Sequence, residues 1–113
     1  MVRQNYTAVV ERNRVWQGDF ASEPYECGWA SEAIFFVRKL EVQGLLRPGA
    51  RGRVQISPDG MRWCDEGTEF YLTPGEDRVD FVRVRHFGNW LRIAGTLPEG
   101  AQARVIVYLT LKE

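Results

Sequence analysis

His86 is the only histidine in the chain, so a Ser-His-Asp or Cys-His arrangement would have to run through it. It precedes the dipeptide Phe87-Gly88 at the end of a strand-like run, where a lone histidine reads as a surface hydrogen-bonding residue. Cys27 and Cys64 lie 37 positions apart and carry no CxxC pair or His/Cys cluster that would hold zinc. A disulfide and two free thiols are both open, and reduced thiols fit an intracellular setting. Carboxylates gather as Asp65, Glu66 and Glu69 and again as Glu76, Asp77 and Asp80. Such groups can serve as acid–base pairs or ligate calcium, but the spacing is irregular and the EF-hand pattern is missing. They read as solvated loop residues. No glycine-rich phosphate loop opens a helix. The expectation is no catalysis, no metal and no cofactor.

The aromatic residues carry more. Four tryptophans stand at 16, 29, 63 and 90. Trp63 and Trp90, at strand ends, read as core. Trp16 and Trp29 fall in an irregular N-terminal third and read equally as core or as a stacking surface. Together with Tyr25, and with Asp19, Glu23 and Glu26 as polar neighbours, they form a candidate carbohydrate site.

Basic and acidic residues balance at fifteen each, giving a formal net charge of zero. Nucleic-acid binding normally needs a cationic excess, so it is not expected. All the basic residues except Lys39 and Lys112 are arginine. This reflects either genomic base composition or a use for the planar guanidinium fork at interfaces. Arg83, Arg85, Arg92 and Arg104 sit on strand-like runs, where cross-strand pairing with carboxylates could join subunits.

The elements that must position these residues are short and alternating. Val105, Val107, Leu109 and Leu111 share one face of a strand over 103–111. Gly88-Asn89 reads as a two-residue hairpin turn between strands at 79–87 and 90–95. In the first of these, Val79 and Phe81 share one phase while Val82 and Val84 share the other. Either both faces are covered or a bulge switches phase near residue 81. Ser57-Pro58-Asp59-Gly60 signals a second hairpin, with Val54 and Ile56 pointing inward before it. A short strand follows at 70–72. Residues 31–45 admit a helical stripe, but their β-branched and aromatic content favours a strand. Another strand is expected from Tyr6 to Glu11, and residues 12–28 look loop-rich.

About eight short strands in 113 residues, with turns every eight to twelve, predict one all-β domain. The expected fold is an antiparallel β-sandwich of jelly-roll type. No apolar run reaches the roughly 18–20 residues of a membrane-spanning helix. No signal-peptide pattern is seen at the N-terminus, so an intracellular or particle-associated location is expected.

The run Arg53-Val54-Gln55-Ile56-Ser57-Pro58-Asp59-Gly60-Met61-Arg62-Trp63 has the form strand, S-x-D-G-x-x-W turn, strand. It resembles a hairpin of discoidin-type (galactose-binding-like) jelly rolls, as does Asn89-Trp90-Leu91-Arg92-Ile93 later in the chain. Together with a valine-rich final strand, the turn also resembles small sandwich proteins of tailed phages and phage-like particles. The chain is shorter than discoidin domains and lacks their terminal cysteine pair. The resemblance therefore implies a fold and assigns no ligand residues. Ser57, Asp59 and Gly60 read as turn chemistry. The function expected is a structural or interaction module that self-associates or binds another protein, with carbohydrate binding as the alternative.

Overall fold

The computed structural model describes residues 5–44 and 50–113. Leu45 of the contested 31–45 run and the first four residues of the N-terminal segment lie outside them. Among the described residues there are nine strands: β1 (Asn5–Gln17), β2 (Asp19–Ala21), β3 (Tyr25–Glu26), β4 (Glu32–Gln43), β5 (Arg51–Ser57), β6 (Cys64–Tyr71), β7 (Val79–Arg85), β8 (Trp90–Thr96) and β9 (Gln102–Lys112). No described helix is long and apolar enough to cross a membrane.

The strands form two antiparallel sheets. One has the order β1-β9-β4-β7 and the other β2-β8-β5-β6, with the two-residue β3 also pairing with β8. Setting β3 aside, the first sheet holds the first, eighth, third and sixth strands, and the second holds the second, seventh, fourth and fifth. That is the strand order of a jelly roll, as the alternating pattern predicts.

Alternation fills the space between the sheets. Val105, Val107, Leu109 and Leu111 on β9 are fully buried, as are Val37 on β4, Val54 on β5, and Leu91 and Ile93 on β8. Gly52 and Gly95 are cross-strand partners on the inner side of the five-stranded sheet. The ring of Phe70 occupies the space where a Gly52 Cβ would stand, and the ring of Phe20 does the same at Gly95. Only glycine leaves room for both ring tips against the sheet.

Several expectations are corrected. β4 is a strand, but the region 12–28 is less loop-rich than its composition suggests. β1 runs on to Gln17 through two register shifts, between Val9 and Glu11 and between Glu11 and Arg14. Bulges interrupt the alternation, which hides the strand from a period-two reading. The Gly88-Asn89 hairpin does not form. β7 pairs with β4 in one sheet, while β8 pairs with β5 in the other. In a jelly roll this connection crosses between sheets, and the left-handed residue is His86, at φ 53°. β7 contains no bulge either. Asp80, Val82 and Val84 face in, and Val79, Phe81 and Arg83 face out.

The second hairpin forms as expected between β5 and β6. The Ser57 hydroxyl accepts from the Asp59 and Gly60 amides at 3.2 and 2.8 Å. Asp59 Oδ1 accepts from the Met61 and Arg62 amides, both at 2.9 Å. Arg62 Nη1 donates to Asp59 Oδ2 at 2.6 Å. The two amides and this guanidinium hold the Asp59 carboxyl well below the usual carboxylate range. The motif is accounted for as turn chemistry.

Candidate functional site

The outer side of the four-stranded sheet presents an apolar row. Val9 is the cross-strand partner of Tyr108, Tyr108 of Phe36, and Phe36 of Phe81. The row crosses all four strands, a span of roughly 15 Å at the usual strand spacing. The rings of Phe36 and Phe81 are 6.4 Å apart and tilted. Phe81 is 50% exposed and Val9 40%. Ile34 and Ile106 lie half-buried on adjacent rows, and Val15 and Val79 stand exposed at either side. An aromatic-centred patch crossing a whole sheet differs from the scattered apolar residues of an ordinary surface.

Arginines frame this row. Arg83 places its guanidinium 5.1 Å from the Phe81 ring centre. Arg85 Nε lies 4.0 Å from Glu32, its cross-strand partner. Arg104 donates to Asn13 Oδ1 at 3.1 Å and to Glu41 Oε1 at 2.9 Å. The carboxylates paired with Arg85 and Arg104 therefore belong to the same chain. Arg92 is on the opposite face of the molecule, outside β8, with its guanidinium 4.3 Å from the Trp63 ring. The four predicted arginines thus divide between two faces.

The predicted aromatic site divides too. Trp16 is 2% exposed and stacks on Phe20 at 3.9 Å, so its ring is part of the core and offers no stacking surface. Trp29 and Tyr25 do come together, joining Asn5 and Tyr6 around a shallow depression of about 450 Å³. Burial and the neighbouring Tyr6 hydroxyl raise the Tyr25 phenol above its ordinary value. The acidic neighbours do not converge there. Asp19 accepts from Thr96 Oγ1 at 2.6 Å, and the Glu23 amide donates to the buried Glu11 carboxylate at 2.9 Å. Glu26 pairs with Trp90 in the β3–β8 ladder. Trp63 and Trp90 were expected in the core, but both are half-exposed. Trp90 occupies the outward phase of β8 and packs against Gly60.

Cys27 is fully buried and burial pushes its thiol up to about 12, so it is a packing residue. Cys64 is exposed, and both thiols are free. Of the acidic clusters, Asp80 is buried against Lys39 at 2.5 Å. The Thr73 hydroxyl donates to Asp80 Oδ1 and accepts from Lys39 Nζ. Asp77 pairs with Arg38 at 2.8 Å.

Sequence reasoning missed the Val9–Tyr108–Phe36–Phe81 row. Its one signal was that both phases of β4 and β7 carry apolar residues. The register that aligns four strands cannot be read from any one of them.

No protein-family model and no curated protein matches the chain. Among solved structures it is similar to the SPBc2 prophage-derived protein YomS, at 7% identity over 100% of this chain and 96% of that one, with a TM-score of 0.56. That likeness is one of fold. It is also similar to CpGH89CBM32-5 from Clostridium perfringens, solved in complex with GalNAc-β-1,3-galactose, at 10% identity over 93% of this chain and 94% of that one. The TM-score there is 0.35, too low to carry an argument.

Proposed function

We propose that the protein is a non-catalytic assembly module that self-associates through the outer side of its four-stranded sheet. The observation that carries this reading is the exposed Val9–Tyr108–Phe36–Phe81 row. The long axes of the molecule, 47 and 28 Å, give the sheet a face broad enough for the roughly 800 Å² per partner that a standard interface buries. A second copy suits it because the net charge is zero and the rim carries both signs, so two such faces approach without long-range repulsion. A particle-associated role follows the same logic, since jelly rolls are a recurrent building block of viral capsids.

Size exclusion with light scattering tests this over a range of concentrations. A discrete oligomer is expected from the unmodified chain, and a folded monomer from Phe81→Glu. A monomer at high concentration in low salt would overturn the reading.

The second reading is carbohydrate binding, favoured by the convergence of Tyr6, Tyr25 and Trp29 around one depression. Its test is tryptophan fluorescence across a panel of neutral sugars, with Trp29→Ala as control. Unchanged emission throughout would remove it.

A further inference from the structure

The outer side of the five-stranded sheet has a different chemistry. An open groove of about 370 Å³ lies along β2, β8 and β5, within the ~300–1,000 Å³ typical of small-molecule sites. Its floor is made of small residues, Ala21 and Ala94, which are cross-strand partners. Arg53, Gln55 and Arg92 line one side and Asp19 lines another.

Arg92 is held in place from two directions. Its Nε donates to Gln55 Oε1 at 2.7 Å, and its guanidinium lies over the Trp63 ring. Gln55 is itself oriented, because its Nε2 donates to Asp65 Oδ1 at 3.0 Å. The same oxygen accepts from Arg53 Nε at 3.0 Å. Gln55 is only 8% exposed although it points to the outer face, so the network is packed rather than loose.

The charges do not close. Arg51 has Glu69 and Arg53 has Asp65. Among the described residues Arg92 has no carboxylate within 4.0 Å, and its two terminal nitrogens have no hydrogen-bond partner. Burial and the nearby Arg53 lower its pKa, the direction expected of a cation lacking its counter-charge. Its free nitrogens are the edge of the fork that binds a carboxylate in bidentate fashion. Asp19 points the other way chemically. One of its oxygens accepts from Thr96, and the other has no partner among the described residues. It is an acceptor suited to a ligand hydroxyl.

We propose that this groove binds a small polyhydroxylated carboxylate such as a hexuronate, with Arg92 gripping the carboxylate and Asp19 accepting from a hydroxyl. A plain oxyanion would use only the arginine side and be repelled by Asp19, and a neutral sugar would leave Arg92 without its counter-charge. The site lies on the opposite sheet from the proposed assembly face, so it stands or falls separately.

Isothermal titration of the full chain with glucuronate, glucose, acetate and sulfate tests it. The expected result is glucuronate binding at least about tenfold tighter than each of the other three. Arg92→Gln should lose about tenfold or more, as removal of one charge-assisted bidentate contact predicts. Asp19→Asn should weaken glucuronate, which loses its hydroxyl acceptor, while acetate, relieved of the repulsion, binds somewhat tighter. Circular dichroism of both variants controls for folding, and light scattering reads the assembly reading in the same samples. Absence of glucuronate binding, equal binding of sulfate or acetate, or unchanged affinity in folded Arg92→Gln would each overturn the proposal.

Discussion

The two outer faces of the sandwich share an interior but are written differently. Outside the four-stranded sheet, the cross-strand row reads Val9, Tyr108, Phe36, Phe81. Outside the five-stranded sheet, comparable rows read Arg92, Gln55, Asp65 and Ala94, Arg53, Glu69. The inward phase is apolar on both, apart from a few buried polar groups such as Lys39 and Asp80, and sets the fold. The outward phase has no part in closing the core, so it is free to set what each face meets. One face can gain only by excluding water over an area, and the other by placing donors and acceptors one by one.

The comparison can be broken most severely from beneath the apolar face. Lys39 and Asp80 lie on the inward phase of β4 and β7, where an ion pair replaces hydrophobic packing. Lys39→Ala would strand a buried carboxylate and cost about 3–5 kcal/mol in chemical denaturation. The double replacement Lys39→Met with Asp80→Leu should recover most of that loss. On the inner side of the other sheet, Gly95→Ala would set a Cβ 2.7 Å from the Arg51 carbonyl oxygen and from the Phe20 ring. A loss of about 1–3 kcal/mol is expected from such overpacking, read from the same experiment.

Smaller effects sharpen the contrast between the outer faces. Phe81→Glu should cost the monomer only about 1 kcal/mol, because the ring is already half in water and only its buried half is lost. Its effect on association should be far larger. On the polar side, the Asp59 and Asp65 carboxyls are held below their ordinary value. The Arg62 and Met61 amides are the main cause at Asp59, and Gln55 is the first at Asp65. A folded-state pKa below the unfolded one gives stability that is full above the unfolded value of 3.8 and is lost as pH falls through the folded value. The melting difference between the native chain and Asp59→Asn should therefore be widest at neutral pH and shrink below about pH 4. The smallest change is expected from Arg104→Ala, whose exposed pairing with Glu41 should contribute less than about 1 kcal/mol.

Much of the architecture could be read from alternation. Strand β9 and the β5–β6 hairpin follow directly, because a period of two and a Ser-Pro-Asp-Gly turn are local signals. The β7–β8 connection is not local. A Gly-Asn pair serves a hairpin and a sheet-to-sheet crossing alike, and only the pairing of distant strands decides between them. Trp16 shows the same limit from the side of the candidate site. Its neighbours look irregular because the bulged β1 breaks the alternation, yet the ring is the stacking partner of Phe20 in the core. Tyr25 and Trp29 were legible as a pair, whereas Asp19 belongs to a different face. Arg92 was legible as a strand arginine, but its partners Gln55 and Trp63 come from elements more than twenty-five positions earlier.

The pairing of β1 with β9, from Asn5 opposite Lys112 to Gln17 opposite Gln102, also governs how the molecule comes into being. β9 is an interior strand of its sheet, flanked by β1 and β4. Until its residues are available, β1 and β4 have no strand between them and the sheet has no centre. Contacts this far apart in sequence place the chain among slow folders, in the millisecond-to-second range. Throughout that interval the β4 edge that β9 will cover is open to other chains, so the rate at which the last strand is captured sets how much of the protein reaches its final state.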